Sequence, residues 1–533
     1  MVFLSPTTLG AVALIGYFLY LQLNRRSPRL PPGPTRLPIV GNIRDLPPRE
    51  TPEHLHWMKH KDLYGPITSV SVMGSTVVVV HDRDMAHELL EEMSSKTSDR
   101  PSMVMAGELC GYGKFTLMQH TGPRFRRARK YITQELTGLK TSSLLHDILE
   151  GAVKRHVVQT MRDPRKQIHH CKTAVTSTIM KLAYGYRAET DGPDSLNRIS
   201  EQVMADFGRA TAMAWPVDAI PALRHVPESF PGAGFKKTAR QYNDMVEKAA
   251  YMPYNFVKRQ VDSKSHKPSY VSKLLEKLRD QDGVVSEEDK EAIVWTAASL
   301  YGGGTDTSMI PLTVFTMAMA KWPHIQERVQ DEIDRAVGTD RLPTFEDRRN
   351  LPYLNAVIAE VSRWWPAAPM GFPHAATEDI VFRGYDIPKG TIITPAVWWF
   401  LHNPEVYEKP DVFDPERFLA PRNEPDPARE VFGYGRRRCA GVYVAEEIMF
   451  LNVAQVVAAF RISQAMGSDG EPIPIDTQPK PGVLCYPPKF DFHIELRSEQ
   501  HEALLKRMER ELPQEAGDSN QLDSYANYTG SQA

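Results

Sequence analysis

"FGYGRRRCAG", Phe432 to Gly441, sets three arginines beside one cysteine between small residues, and the apolar, helix-prone run "VYVAEEIMFLNVAQVVAAF" follows at once. A cysteine that ends a glycine-containing loop just before a helix lies near the helix N-terminus, where backbone N–H groups favour the thiolate. Arg437 is placed to neutralise acidic groups of a bound cofactor, and Gly435 and Gly441 permit close backbone approach. A buried structural cysteine needs no such loop. The stretch therefore reads as a ligand site.

Three stretches upstream belong with it. "YGGGTDTS", Tyr301 to Ser308, falls inside a pattern predicted to be helical from an N-cap at Ser286, paired with Asp289, to about Lys321. Three consecutive glycines in a helix cost about 3 kcal/mol relative to alanine, so either a ligand or another helix comes close to the backbone there. Asp306 and Thr307 follow directly, an acid and an alcohol of the kind that relays protons in a buried site. "EVSR", Glu360 to Arg363, puts a carboxylate and a guanidinium on one helix face. "FDPERF", Phe413 to Phe418, offers Arg417 to the same network. Taken singly, such ion pairs are common and weak on surfaces.

The rest of the chain narrows the possibilities. Its 533 residues carry 66 acidic and 64 basic side chains, which argues against a nucleic-acid footprint or an acidic-substrate funnel. Four scattered cysteines without a CxxC pair argue against a disulfide scaffold or structural zinc and suit a reducing compartment. His56 and His60 are spaced four apart but lack the glutamate of a zinc helix, and His169, His170 and Cys171 point in different directions. "GYGKF", Gly111 to Phe115, has Glu108 and Phe115 where a phosphate loop needs Gly and Ser or Thr, and there is no GxGxxG fingerprint.

The first 24 residues are uncharged, and Leu9 to Leu23 form an apolar run followed by Arg25, Arg26 and Arg29. About 20 helical residues cross a hydrocarbon core of about 30 Å, and the basic flank leaves the bulk of the chain cytosolic. "RLPPGPTRLPIVGN", Arg29 to Asn42, predicts a stiff, extended spacer. "GPITSVSVMGSTVVVVHD" predicts two strands around a turn at Met73 to Ser75. The expected organisation is a membrane anchor at 1–23, a basic, proline-rich linker at 24–50, one mainly helical domain at 51–498 and a charged, disordered tail at 499–533.

Together these residues resemble the haem-thiolate monooxygenases of the cytochrome P-450 superfamily, most of all its fungal microsomal members. FxxGxRxCxG is complete through Phe432, Gly435, Arg437, Cys439 and Gly441, with GGxDTS, ExxR and PERF upstream in the same order. The resemblance implies a triangular, mainly α fold with small β-sheets and haem b (iron protoporphyrin IX) between the Gly303 helix and the Cys439 loop. Cys439 would be the axial ligand of the iron, Arg437, Arg129 and His374 would meet the propionates, and Glu360, Arg363 and Arg417 would form a core network. Phe125 stands where many relatives carry a tryptophan; it has no N–H to donate, so that contact would rest on Arg129.

By the same resemblance Asp306 and Thr307 would guide protons while one atom of dioxygen enters a hydrophobic substrate, by hydroxylation or epoxidation, and the other leaves as water. With no flavin or nicotinamide fold in the chain, electrons would come from an NADPH-cytochrome P-450 reductase, helped by cytochrome b5, at the endoplasmic reticulum membrane. "RFRRARK" and "GRRRC" would attract such an acidic partner. The substrate would be a xenobiotic or secondary metabolite, in a pocket drawn from 103–117, 204–213, 297–303, 367–372 and 482–484. Two alternatives use the same site: isomerisation or dehydration without a reductase, and a non-catalytic haem sensor. Pro311, four residues after Thr307, frees the Thr307 carbonyl and should open the helix locally.

Overall fold

The computed structural model describes residues 28–138, 143–189, 192, 194–212, 215–513 and 516–523. The predicted anchor at 1–23 lies outside the described residues. β1 (Ile67–Val72) and β2 (Ser75–Val80) form an antiparallel hairpin whose turn places Met73 and Gly74 at φ of 49° and 89°. The hairpin is where the sequence predicts it, and both faces are buried over much of its length, Val78, Val79 and Val80 in succession. The sheet is completed by β3 (His374–Ala375) and β6 (Ile392–Pro395), in the order β1-β2-β6-β3, with β6 parallel to β2. β4 (Ile380–Phe382) pairs with β5 (Tyr385–Ile387), and β7 (Phe460–Gln464) with β8 (Phe492–Leu496).

Helices make up the body: α1 (Pro123–Gly138), α2 (Leu144–Arg162), α3 (Gln167–Tyr184), α4 (Ser195–Ala212), α5 (Gly234–Asp262) and α6 (Glu287–Lys321). α7 (Pro352–Trp364), α8 (Val442–Ala459), α9 (Glu499–Glu511) and α10 (Ser519–Asp523) follow. α6 starts at the predicted cap, where the Ser286 hydroxyl accepts the Asp289 N–H. Its 35 residues span about 52 Å at 1.5 Å each. It packs against α1, α3, α5, α7 and α8, so any group seated on its middle turns is enclosed. α8 is apolar on nearly every side because it lies inside the core; it is long and apolar enough to cross a membrane, yet most of it is buried against the other helices.

Three expectations change. The proline-rich segment is extended but is no free spacer: the Ser69 N–H donates to the Pro32 carbonyl, the Ser69 hydroxyl to that of Pro31, and the Asn42 N–H to that of Ser71. The unpaired edge of β1 takes these bonds, so the folded domain begins near Pro31 rather than at 51. The tail beyond 499 is not disordered through its described part. α9 buries Leu504 and Leu505 against α2, and α10 lies against α4 and α5, where the Asp518 carboxylate accepts the Arg187 N–H at 2.9 Å and Lys267 at 3.2 Å. Finally, α6 is continuous through Gly302–Gly304 and Pro311 rather than opened.

Candidate active site

A cavity of about 520 Å³ runs between the middle of α6 and the loop before α8. Cys439 and Phe432 stand in one wall, and Gly303 and Thr307 in the facing one. The Cys439 N–H donates to the Phe432 carbonyl at 2.8 Å, and Gly441 lies against the Cys439 sulfur. Cys439 has accessible surface because it opens into this cavity, although protein surrounds it. Burial pushes its thiol up, against the pull of the Gly441 N–H, Arg129 and Arg438. The helix start alone therefore does not favour the thiolate as the sequence suggested, since desolvation outweighs it. A bound cation would reverse that balance.

Gly435 has a different task from the one expected. At φ +50° it lies where an added Cβ would come 2.7 Å from the Ser94 Cβ and against the Leu90 carbonyl, so it lets the loop close on protein, and it is absent from the cavity wall. The base of the loop is tied further by Tyr434, whose hydroxyl donates to Glu430 at 2.5 Å, while Glu430 also holds Arg83 at 2.7 Å and His87 at 3.0 Å. No sequence pattern marks this cluster, because its halves, Arg83 with His87 and Glu430 with Tyr434, lie more than 340 residues apart.

One edge of the cavity is strongly cationic. Arg437 donates to the carbonyls of Ser98, Thr116 and Gln119, and its guanidinium lies 3.8 Å from the centre of the Phe125 ring. Phe125 thus supports Arg437 by a cation–π contact where an indole would have donated a hydrogen bond. Arg129 lines the cavity and makes no ion pair among the described residues. Arg100, which no motif singled out, is buried beside them and donates to the Leu117, Phe372 and Pro373 carbonyls. Burial pushes Arg100 down to about 9 and Arg437 to about 10. His374 joins this edge with its Nδ1 donating to the Thr97 carbonyl at 2.9 Å, and burial beside Arg100 lowers it to about 3. The neutral ring therefore offers an unprotonated Nε2, which a carboxylate meets only once the ring gains a proton.

Burying several guanidiniums without a carboxylate partner is costly. Such an edge fits a group that brings its own acidic arms, and an apolar interior beneath it fits the group's body. A haem, with two propionates and a flat apolar ring, satisfies both, and Cys439 supplies a sulfur ligand for its iron.

The three glycines divide their work. A Cβ on Gly304 would lie 2.7 Å from the Ile179 Cδ1 of α3, whereas one on Gly303 would meet nothing within 4 Å and would enter the cavity. A Cβ on Gly302 would meet Met204 of α4 at 3.6 Å; residues 204–211 and 482–484 are absent from the wall, while Thr116, Leu117, Ser299, Leu300, Ala367 and Phe372 are present as expected. We expect Gly303→Ala to gain up to about 1 kcal/mol from helix propensity while reshaping ligand binding, and Gly304→Ala to be less stable than it by about 1–3 kcal/mol through overpacking. Thermal melts of the two variants check this; equal shifts would contradict it.

Thr307 and Asp306 are not brought together. The Thr307 hydroxyl donates to the Gly303 carbonyl at 2.5 Å and lines the cavity, whereas Asp306 lies outside its wall, where burial raises its carboxyl. Successive helical residues diverge by about 100°, and it is Ser308 on the other side of Thr307, not Asp306, that shares the wall with it. Glu360, Arg363 and Arg417 do converge: Arg363 chelates Glu360 at 2.7 and 2.8 Å, and Arg417 reaches the same carboxylate at 3.1 Å, all three fully buried. The histidine pairs weighed in the sequence are used locally; His56 meets the Asp45 carbonyl, and no His, Cys, Asp or Glu cluster suited to a metal ion occurs among the described residues.

Comparison with known proteins agrees with this geometry. The cytochrome P-450 family description matches residues 31–494. The chain is 42% identical to a multifunctional cytochrome P-450 monooxygenase of Aspergillus fumigatus, covering 95% of this chain and 96% of that one. It is 38% identical to a cytochrome P-450 monooxygenase of Gibberella zeae, over 96% of this chain and 98% of that one. It is 35% identical to an O-methylsterigmatocystin oxidoreductase of Aspergillus flavus, over 97% of each chain.

Proposed function

Because the chain belongs to the cytochrome P-450 family, whose curated relatives are fungal monooxygenases, we propose that it inserts one oxygen atom of dioxygen into a hydrophobic secondary metabolite or xenobiotic, using electrons from an NADPH-dependent flavoprotein reductase. The carrying observation is that the Cys439 sulfur and the Gly303–Thr307 turn face one cavity whose edge holds Arg100, Arg129 and Arg437 with no salt bridge among the described residues, Asp99 acting on Arg100 and Arg437 only from beyond contact. When bound, haem supplies the redox centre at which dioxygen is activated, tuned by its thiolate ligand.

The chain's own residues do the rest. Arg100, Arg129 and Arg437 hold the two carboxylates, and Phe125 fixes the plane of Arg437. Gly303 leaves room in the cavity on the side of α6. Leu300, Leu117, Ala367 and Phe372 exclude water and favour an apolar substrate. The Thr307 hydrogen is committed to the Gly303 carbonyl, so its oxygen presents acceptor lone pairs to the cavity, where it orders a water. Asp306 is assigned as the acid that replenishes the proton such a water passes on.

The exposed Arg436 and Arg438, beside the Cys439 loop, suit an acidic reductase or cytochrome b5 surface. The anchor assigned to 1–23 would hold the domain on the endoplasmic reticulum membrane. Removing those residues should shift the protein toward the soluble fraction; equal sedimentation of both forms would reject that anchor. The function itself is tested with a reductase, NADPH, isotopically labelled dioxygen and a panel of apolar compounds preselected by shifts of the haem absorption band. Label in the product, dependent on NADPH, supports insertion. Conversion without NADPH or label would instead indicate isomerisation or dehydration, and binding without conversion a sensor.

A further inference from the structure

We propose that a second cavity, which Trp365 divides from the first, is a binding site for a flat, uncharged, apolar molecule that carries a hydroxyl group. This cavity measures about 330 Å³ and has Trp364, Trp365 and Trp398 in its wall. Its size is at the lower end of the range of about 300–1,000 Å³ for small-molecule sites. Trp365 stands in the walls of both cavities. Its indole N–H donates to the Cys485 carbonyl at 2.7 Å, and the Cys485 N–H donates to the Ala367 carbonyl at 2.8 Å. Cys485 lines the second cavity and Ala367 the first, so one layer of side chain and backbone separates them. Asp411 and Gln478, both exposed, belong to the rim where the second cavity meets solvent.

The wall selects for that chemistry. Indole rings favour a flat apolar body. His402, at the end of the short helix Val397–His402, stacks on Trp398 with ring centres 4.1 Å apart, and its Nδ1 donates to the Trp398 carbonyl at 2.8 Å. Burial lowers this imidazole to about 3, so the ring is neutral and its Nε2 is an acceptor, with no partner among the described residues. His54, from the helix Glu53–Tyr64, is in the same wall with its ring 5.4 Å from that of Trp398. It is only 4% exposed, and its Nε2 also has no partner. A buried polar atom without a hydrogen bond is costly. Two such nitrogens in one wall fit a molecule that brings a hydroxyl, which both donates and accepts. Neutral rings offer nothing to an anion, and Asp411 at the rim repels one. The occupant comes from one of two sources: the protein's own hydroxylated product crossing the Trp365 partition, or a separate molecule from solution. Only the first source rests on the oxygen insertion proposed above.

Equilibrium dialysis of the haem-loaded protein tests the site, with clotrimazole on the iron to fill the first cavity. The probes are 2-naphthol and naphthalene, which have the same flat body with and without a hydroxyl. One equivalent of 2-naphthol should remain bound, about tenfold more tightly than naphthalene, the effect of one hydrogen bond to a buried acceptor. His402→Phe and His54→Phe should shrink that preference, and Trp398→Leu should weaken both probes, each with an unchanged carbon monoxide spectrum as the check on folding. No 2-naphthol bound beside the azole, equal affinity for the two probes in the parent, or binding that all three variants leave unmoved overturns the site. The source is read without turnover, from the rate at which 2-naphthol shifts the haem band once the azole is omitted. Trp365→Phe keeps an aromatic partition but loses the tie to Cys485. A faster shift in this variant assigns the occupant to exchange across the partition, as product requires; an equal rate, or no shift in either protein, assigns it to a separate molecule. Failure of oxygen insertion would leave the dialysis result standing, so the two readings fail separately.

Discussion

Glu360→Gln should cost about 3–5 kcal/mol, the cost of stripping the counter-charge from buried cations. The Glu360 carboxylate accepts from Arg363 at 2.7 and 2.8 Å, from Arg417 at 3.1 Å and from the Asp414 N–H at 2.8 Å. Burial works to raise this carboxyl, and the two guanidiniums and the amide N–H work to keep it charged. Glutamine keeps the shape but turns an amide NH₂ toward groups that only donate. Arg417 retains Glu424 at 2.7 Å, whereas Arg363 loses its carboxylate and keeps only neutral acceptors, the carbonyls of Leu401 and Val412 and one amide oxygen. Since folded proteins are stable by only about 5–15 kcal/mol, holoprotein yield should fall sharply. Glu416→Gln is the control, because the Arg328–Glu416 pair is half exposed and should change stability by less than about 1 kcal/mol. Urea midpoints of the two variants measure the contrast, and similar midpoints would remove the triad from its structural role.

Cys439→Ser should abolish the thiolate-type carbon monoxide band of the reduced protein and with it NADPH-dependent product. A serine hydroxyl ionises far less readily than a thiol, and at this position burial already opposes charge. The other cysteines offer no substitute: Cys110, Cys171 and Cys485 are buried elsewhere, and burial pushes each up to about 12. Arg100, Arg129 and Arg437 remain in the variant, so it should still take up some haem, which separates loss of ligation from loss of the cavity. Persistence of the band in Cys439→Ser would exclude Cys439 as the ligand.

What the sequence made legible was local. The ten residues from Phe432 to Gly441 carry the ligand, a cation and the loop geometry together, so residue types alone pointed to a cofactor. The glycine run was ambiguous in sequence and turns out to serve both uses, Gly304 for the α3 crossing and Gly303 for the cavity. The parts that escaped depend on which segments meet. Arg100 sits in an irregular stretch with no period, and its partners at Phe372 and Pro373 are 272 and 273 residues away. That Asp306 lies outside the cavity wall while Thr307 and Ser308 line it depends on how α6 is rotated in the fold, which residue types do not report. The domain edges were misjudged because proline content and charge report local stiffness and solubility, not whether a sheet edge or an apolar groove accepts the segment.

The most direct test of the whole account is X-ray absorption at the iron edge of the purified, haem-loaded protein, compared with Cys439→Ser. The account predicts a sulfur neighbour in the inner shell of the iron in the parent, replaced by a lighter atom in the variant. An inner shell of nitrogen and oxygen alone in the parent, or sulfur that persists in Cys439→Ser, would contradict it.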